Sequence, residues 1–285
     1  MTVFARTLGP YDGPLVPRNR RFLVIWRSSR RRVFASKILT AFYALTFAPL
    51  LVMLGYIYLR YNLPVLATLE IPVASLPAVD ARFFLNLTRL QGTFAFLLAA
   101  FVGPGLIAPD LADNGLALYL ARPLSRAQYV LGKLMVLAVL LSAMTWLPLA
   151  ALWGVETGLS PDPVSGAELR TLGAIVLGSA VWIGLISLLA LGASAWVRWK
   201  LVAAALLFGF FFISRAMAEI LNLNFKTTWG DLVSPGKQIV AVWEGLFLGA
   251  SGGLPVAVAA LLLAALAGFC LLLLHKKLRA YEVVR

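Results

Sequence analysis

Long apolar runs bounded by charged residues dominate this chain. A helix needs about 20 apolar residues to cross a hydrocarbon core of about 30 Å. We therefore predict six membrane-spanning helices, at Ile38–Leu59, Leu90–Pro109, Leu134–Val155, Thr171–Val197, Leu201–Ser214 with a continuation to about Asn224, and Leu254–Leu274. The second can extend through Phe83–Leu87, past Arg89. Because six is an even number, both termini are expected on the same side of the membrane.

Two segments outside these spans also carry a helical signal. Pro17–Lys37 mixes arginines with large apolar residues, which favours a basic amphipathic helix along the cytoplasmic membrane surface over a merely solvated tail. Within the outer segment 226–253, Pro235–Ala250 is apolar but too short to cross, so we expect it on or dipping into the outer leaflet. The expected organisation is a cytoplasmic segment, 1–37, followed by a six-helix transmembrane domain, 38–285.

Composition supports this interpretation and sorts the charge. Hydrophobic residues make up 61% of the chain and charged residues 13%, against about 45–50% and about 25% in soluble domains. The net charge of +13 would suggest nucleic acid in a soluble protein. However, eighteen of the 25 basic residues fall in the segments 1–37, 110–133, 198–200 and 275–285. Positive charge concentrates in cytoplasmic segments, so we predict both termini in the cytoplasm and no nucleic-acid partner. The expected location is a bacterial-type inner membrane.

The segment between the second and third spans is the most informative stretch. Gly103-Pro104-Gly105 and Pro109 are expected to loosen or stop the second helix. Asp110 and Asp113 should follow at the membrane surface, and the residues 116–120 form a short amphipathic stretch. Ser125 is a plausible N-cap for the next helix.

The same residues resemble a known family. Asp110, Gly115, the run from Tyr119 to Arg126, Tyr129 and Gly132-Lys133 are similar to the cytoplasmic loop of ABC-2 type permeases. This resemblance implies an all-α, type V exporter-like permease fold in which loop 110–133 contains a coupling helix that docks on an ATPase subunit. The residues that it assigns to coupling are Asp110, Asp113, Tyr119, Arg122, Pro123, Ser125, Arg126 and Lys133.

The resemblance also implies partners. A separate nucleotide-binding subunit would bind ATP and Mg, and a second permease copy or a paralogue would complete the transporter. The direction of transport would be export. This sequence has no G-x-x-x-x-G-K-[ST] phosphate loop. We therefore expect a transport subunit without its own catalysis, cofactor or metal.

Three ionisable residues fall within or beside the predicted spans. Arg215 and Glu219 are spaced i, i+4 and can pair on one helix face, and Arg89 interrupts the second span. Such groups are costly in a membrane, so each either anchors the helix at the interface or forms a gate or substrate contact. Two other functions stay open: an ATP-independent channel or secondary carrier, and an intramembrane enzyme, although His275 and Glu219 offer little for catalysis.

Overall fold

The chain forms a bundle of long helices in the computed structural model, which describes residues 17, 21–33, 36–68, 70, 72, 75–112, 125–161, 163–197 and 199–279. Six helices are long and apolar enough to cross a membrane: Lys37–Tyr61, Ala81–Asp110, Ala127–Leu159, Gly166–Trp196, Lys200–Phe225 and Val256–Lys277. All regular elements of the described residues are helical. The predicted all-α class with six spans is therefore confirmed, and the chain is a multi-pass membrane protein.

The first three spans are each built from two helices. Their bounds are Lys37–Leu45 with Ala48–Tyr61, Ala81–Val102 with Pro104–Ala112, and Arg126–Met144 with Trp146–Leu159. Pro49, Pro104 and Pro148 each lie in the first turn after a break, where a missing backbone N–H costs little. At the first break, Gln91 of the second span donates a hydrogen bond of 3.0 Å to the Thr46 carbonyl. The breaks are therefore positions where side chains of other spans can bind backbone groups.

Two spans begin earlier than the apolar runs predict. The second starts at Ala81 rather than Leu90, because the Asp80 carboxylate accepts from the Phe83 N–H at 2.9 Å and caps the helix. The third starts at Arg126 rather than Leu134, because Ser125 and Gln128 form a capping box. The Ser125 N-cap and the extension of the second span past Arg89 are confirmed, whereas the predicted start of the third span at Leu134 was wrong.

Four shorter helices of the described residues accompany the six spans. They are the N-terminal helix Arg21–Val33, a short helix Leu63–Thr68, a 3-10 helix at Trp229–Val233, and the loop helix Pro235–Leu248 between the fifth and sixth spans. The N-terminal helix packs on the third span at Gly132, where an added Cβ would lie 2.9 Å from the Phe22 carbonyl oxygen and from Ile25 Cβ. Gly132 therefore permits the close approach of the N-terminal helix.

The second and fourth spans form the centre of the bundle. In the most apolar stretch of each of these two spans, 61% of the residues are buried inside the protein. The corresponding fraction is 11% in the first span, 22% in the fifth and 17% in the sixth. The ends of the spans meet on two faces. The face that carries the N-terminal helix is called the N-terminal face. There the end of the sixth span contacts the end of the fourth, with Lys277 Nζ 5.1 Å from the centroid of the Trp196 ring. On the opposite face, Tyr61 at the end of the first span donates to Glu156 of the third at 3.0 Å.

Candidate functional site

A buried ion pair joins the end of the second span to the start of the third. Lys133 Nζ lies 2.8 Å from Asp110 Oδ2, and the two side chains are 1% and 7% exposed. The Tyr129 hydroxyl donates to the same carboxylate oxygen at 2.8 Å, and its ring lies 5.4 Å from Lys133 Nζ. Because a buried charge is costly unless it is paired, this cluster holds the two helix ends in one relative position.

The local sequence explains this geometry. The second span bends at Gly103 and continues as Pro104–Ala112, which carries Asp110 inward toward the third span. Tyr129 and Lys133 are spaced i, i+4, so they lie on one face of their helix. The position of Asp110 at the membrane surface stays a prediction; within the protein its carboxylate is buried, and the Lys133 ammonium group compensates its charge.

The cluster closes the base of the loop that carries the other predicted coupling residues. Asp113, Tyr119, Arg122 and Pro123 lie outside the described residues. Ser125 caps the third span and is exposed, and the backbone of Arg126 is in the first turn of that helix. The structure thus brings together Asp110 and Lys133 among the eight predicted coupling residues, at the two sides of the loop.

The bend in the second span is held by one side chain of the fourth. Ser194 is fully buried, and its hydroxyl accepts from the backbone N–H groups of Ile107 and Ala108 at 3.2 and 2.8 Å. The same hydroxyl donates to the Pro104 carbonyl at 3.0 Å. A single oxygen therefore binds three backbone groups at the break and fixes the direction of the segment that carries Asp110.

A second site lies toward the opposite face, between the second, fourth and fifth spans and the loop helix. It is a cavity of about 330 Å³. The polar and aromatic residues that line it are Arg89, Thr93, Phe96, Trp182, Phe211, Phe212, Arg215, Ser234 and Trp243. Its wall therefore combines two guanidinium groups with five aromatic rings, and no carboxylate belongs to that lining.

The three ionisable residues predicted within spans occupy this region. Arg89 Nη2 lies 2.6 Å from Glu244 Oε1, while its Nε–H is buried without an acceptor among the described residues. Arg215 and Glu219 are 3.9 Å apart, with side chains 67% and 49% exposed, and Glu219 lies closer, at 3.2 Å, to Lys237. The Arg215–Glu219 pair was predicted from its i, i+4 spacing. The Arg89–Glu244 and Lys237–Glu219 pairs each involve a residue of the loop helix.

Lys237 lies at the first turn of the loop helix beside the cavity. Its ammonium group donates to Asp231 at 2.8 Å and lies near Glu219. The hydrogen bond to Asp231, aided by Glu219, raises the pKa of Lys237 above its ordinary value, although partial burial opposes that shift. This pairing fixes the start of the loop helix against the fifth span.

Trp243 inserts the loop helix into the bundle. Its indole N–H donates to the Gly178 carbonyl at 3.0 Å, and Trp182 donates to the Gly92 carbonyl at 2.9 Å. The two indoles are edge to face with centroids 5.9 Å apart. An added Cβ at Gly178 would lie 2.8 Å from Trp243 Cδ1, so the indole can pack there only against glycine.

Sequence reasoning missed several of these residues. Glu244 is a single acidic residue in an apolar segment, and nothing in the local sequence indicates its partner. That partner, Arg89, lies 155 positions earlier in the sequence. Glu156 was treated as a span boundary, yet it is 6% exposed and bound to Tyr61. Tyr129 was part of the family resemblance but was assigned no role. Only its i, i+4 spacing from Lys133 could have suggested one.

Comparisons with known proteins leave the family open. No protein-family model matches this chain, and no curated protein matches it at a significant level. Within the described part of the chain, no group of three or more His, Cys, Asp or Glu residues could hold a metal ion.

Proposed function

We propose that this chain is the membrane-spanning permease subunit of an ATP-driven ABC transporter of the ABC-2 type. A separate ATPase subunit binds and hydrolyses ATP with Mg, and a second permease copy or paralogue completes the transport unit. Transport is outward, by alternating access of the spans. Six spans and the residue pattern of loop 110–133 support this proposal.

The buried Asp110–Lys133 pair is the observation that carries the proposal. It ties the two sides of loop 110–133 together at its base, with Tyr129 as a further tie. A force applied to such a loop reaches the second and third spans together rather than being absorbed by a flexible connection. A passive cytoplasmic loop has no need of a buried ion pair at its base.

Burial divides the predicted coupling residues into two roles. Asp110 and Lys133 are 6% and 1% exposed, so they act by positioning the loop. Direct contact with the ATPase subunit falls to the loop itself, with Arg122 and Arg126 as the basic residues that meet its surface. The functional residues therefore include a buried anchor and a docking segment.

The cavity at Arg89 and Arg215 is the proposed contact for the transported molecule. Its five aromatic rings favour an apolar body, and its two guanidinium groups favour an anionic group. We therefore propose an amphipathic organic anion as the cargo class. Replacing Arg215 by glutamine should raise the KM for such a substrate, because its pairing with Glu219 is long and exposed and contributes little to the fold.

The decisive experiment is copurification from native membranes. A tagged chain should bring down an ATPase subunit, and Arg126→Glu should reduce the amount recovered or should separate ATP hydrolysis from transport in proteoliposomes. The matched control is Lys276→Glu, which makes the same charge change at an exposed position of the N-terminal face outside the loop. The control should retain both the ATPase subunit and coupled transport.

Two results would contradict the proposal. One is a tagged chain that purifies from native membranes without any nucleotide-hydrolysing subunit. The other is Arg126→Glu protein with wild-type ATP hydrolysis and wild-type transport. Substrate movement by the chain alone, in vesicles without ATP, would instead support the channel or carrier alternative.

A further inference from the structure

A cavity of about 320 Å³ lies against the N-terminal helix, on the face where the first, third and fifth spans begin. It is separate from the cavity at Arg89 and Arg215. One part of its wall is polar and is formed by Ser29, Ser36, Lys133 and Lys200. The rest is apolar and includes Ile38 and Phe101, which are 82% and 48% exposed. The cavity thus joins a polar pocket to apolar helix surface.

Ser29 supplies an unused hydrogen-bonding group in this pocket. The residue is 2% exposed, and its hydroxyl has no hydrogen-bond partner among the described residues. The adjacent Ser28 donates to the Ile25 carbonyl at 3.0 Å, so a serine of this helix can bind its own backbone. Burying a hydroxyl without a hydrogen-bond partner costs free energy. An acceptor that binds in the cavity would remove this penalty at Ser29.

Lys200 supplies the charge. Its side chain crosses the bend of the second span, where an added Cβ at Gly105 would lie 3.7 Å from Lys200 Nζ. Within the described part of the chain, no carboxylate lies within ion-pairing distance of this ammonium group. Lys133, in contrast, is already paired with Asp110. The pocket therefore has a net positive charge supplied by Lys200.

We propose that this cavity binds the phosphate group of an anionic phospholipid from the membrane leaflet at the N-terminal face. The phosphate accepts hydrogen bonds from Ser29 and Lys200, while the start of the acyl chains covers Ile38 and Phe101. A free phosphate ion would leave that apolar wall exposed, so the lipid is the better match. The bound lipid would link the N-terminal helix to the first, second and fifth spans.

The test uses the full chain, purified and depleted of lipid, with phosphatidylglycerol as the probe and phosphatidylcholine as the neutral comparison. Binding is measured by native mass spectrometry, together with the shift in unfolding temperature. Lys200→Gln should weaken phosphatidylglycerol binding about fivefold, the value of one lysine near an anionic lipid surface. Ser29→Val should weaken it about tenfold, because it removes a hydrogen bond to a charged group.

Matched controls separate the cavity from general surface charge. Lys276→Gln removes an exposed lysine of the same face, and Ser28→Ala removes the neighbouring hydroxyl that binds its own helix. Both should bind phosphatidylglycerol like the wild type. Ser29→Val protein should fold normally, since the lost hydroxyl has no partner among the described residues, and gel filtration checks this.

Three results would overturn the proposal. Equal affinity for the two lipids would remove the role of the headgroup charge. Wild-type binding by both Lys200→Gln and Ser29→Val would place the lipid elsewhere. Displacement of phosphatidylglycerol by millimolar inorganic phosphate would identify a free anion site instead of a lipid site.

Discussion

Replacing Lys133 by methionine should destabilise the protein by about 3–5 kcal/mol. The substitution keeps most of the apolar stem but removes the ammonium group that lies 2.8 Å from the Asp110 carboxylate, a side chain that is 7% exposed. Loss of one member of a buried ion pair costs about this much, because the remaining charge loses the compensation of that partner. The Tyr129 hydroxyl still donates to the carboxylate, so we expect a value toward the lower end of this range.

The double variant Asp110→Leu with Lys133→Met separates loss of the charge pair from loss of packing. With both members of the pair replaced by apolar residues, the charge imbalance between them is removed, and most of the stability should return. The residual loss should be about 1–2 kcal/mol, because the Tyr129 hydroxyl loses its hydrogen bond to Asp110. Adding Tyr129→Phe should reduce that residual loss.

Reversible unfolding in mixed micelles, followed by circular dichroism, gives the free energies for this cycle. The two single substitutions should be non-additive by at least about 1 kcal/mol, as expected for residues in direct contact. The reasoning is refuted if Lys133→Met is as stable as the wild type. It is also refuted if the double variant loses the sum of the two single losses.

Three further predictions concern the packing around this bundle. Ser194→Val should lower the free energy of unfolding by about 2 kcal/mol or more, because it removes three hydrogen bonds, two from buried N–H groups and one to the Pro104 carbonyl; thermal unfolding measures it, and wild-type stability would contradict it. Gly178→Ala should cost about 1–3 kcal/mol by displacing Trp243, whereas Gly184→Ala on the same span, where an added Cβ meets nothing within 4 Å, should not destabilise it. Lys237 has a raised pKa, so its stabilising contribution is present in full below pH 10.5 and is lost as the pH rises through the higher pKa of the folded state. The stability difference between wild type and Lys237→Met should therefore shrink only above that pH, and a difference that shrinks near neutral pH would contradict this.

The length and spacing of apolar runs were enough to predict six spans, because the membrane imposes a minimum helix length. The uncharged run of the second span begins at Leu90, and the predicted extension through Phe83–Leu87 came within two residues of the observed start at Ala81. In the structure, Glu244 compensates the charge of Arg89, and Asp80 caps the helix further back. Helix ends depend on caps and partners as well as on hydropathy.

Local spacing revealed contacts within one helix but not between helices. Arg215 and Glu219 share a turn, so their pairing could be predicted from the sequence. The Asp110–Lys133 pair depends on the bend at Gly103 and on its packing against the fourth span. A sequence pattern shows that Gly-Pro-Gly can bend a helix, but it does not give the direction of the bend.

The edge-to-face contact of Trp182 and Trp243 gives the bundle an internal optical reporter. Their centroids are 5.9 Å apart, and each indole is hydrogen-bonded to a different span, the second and the fourth. Electronic coupling between two indoles at this separation depends steeply on distance and angle. Any movement that draws the loop helix away from the central spans will therefore change the near-ultraviolet circular dichroism, without an added label.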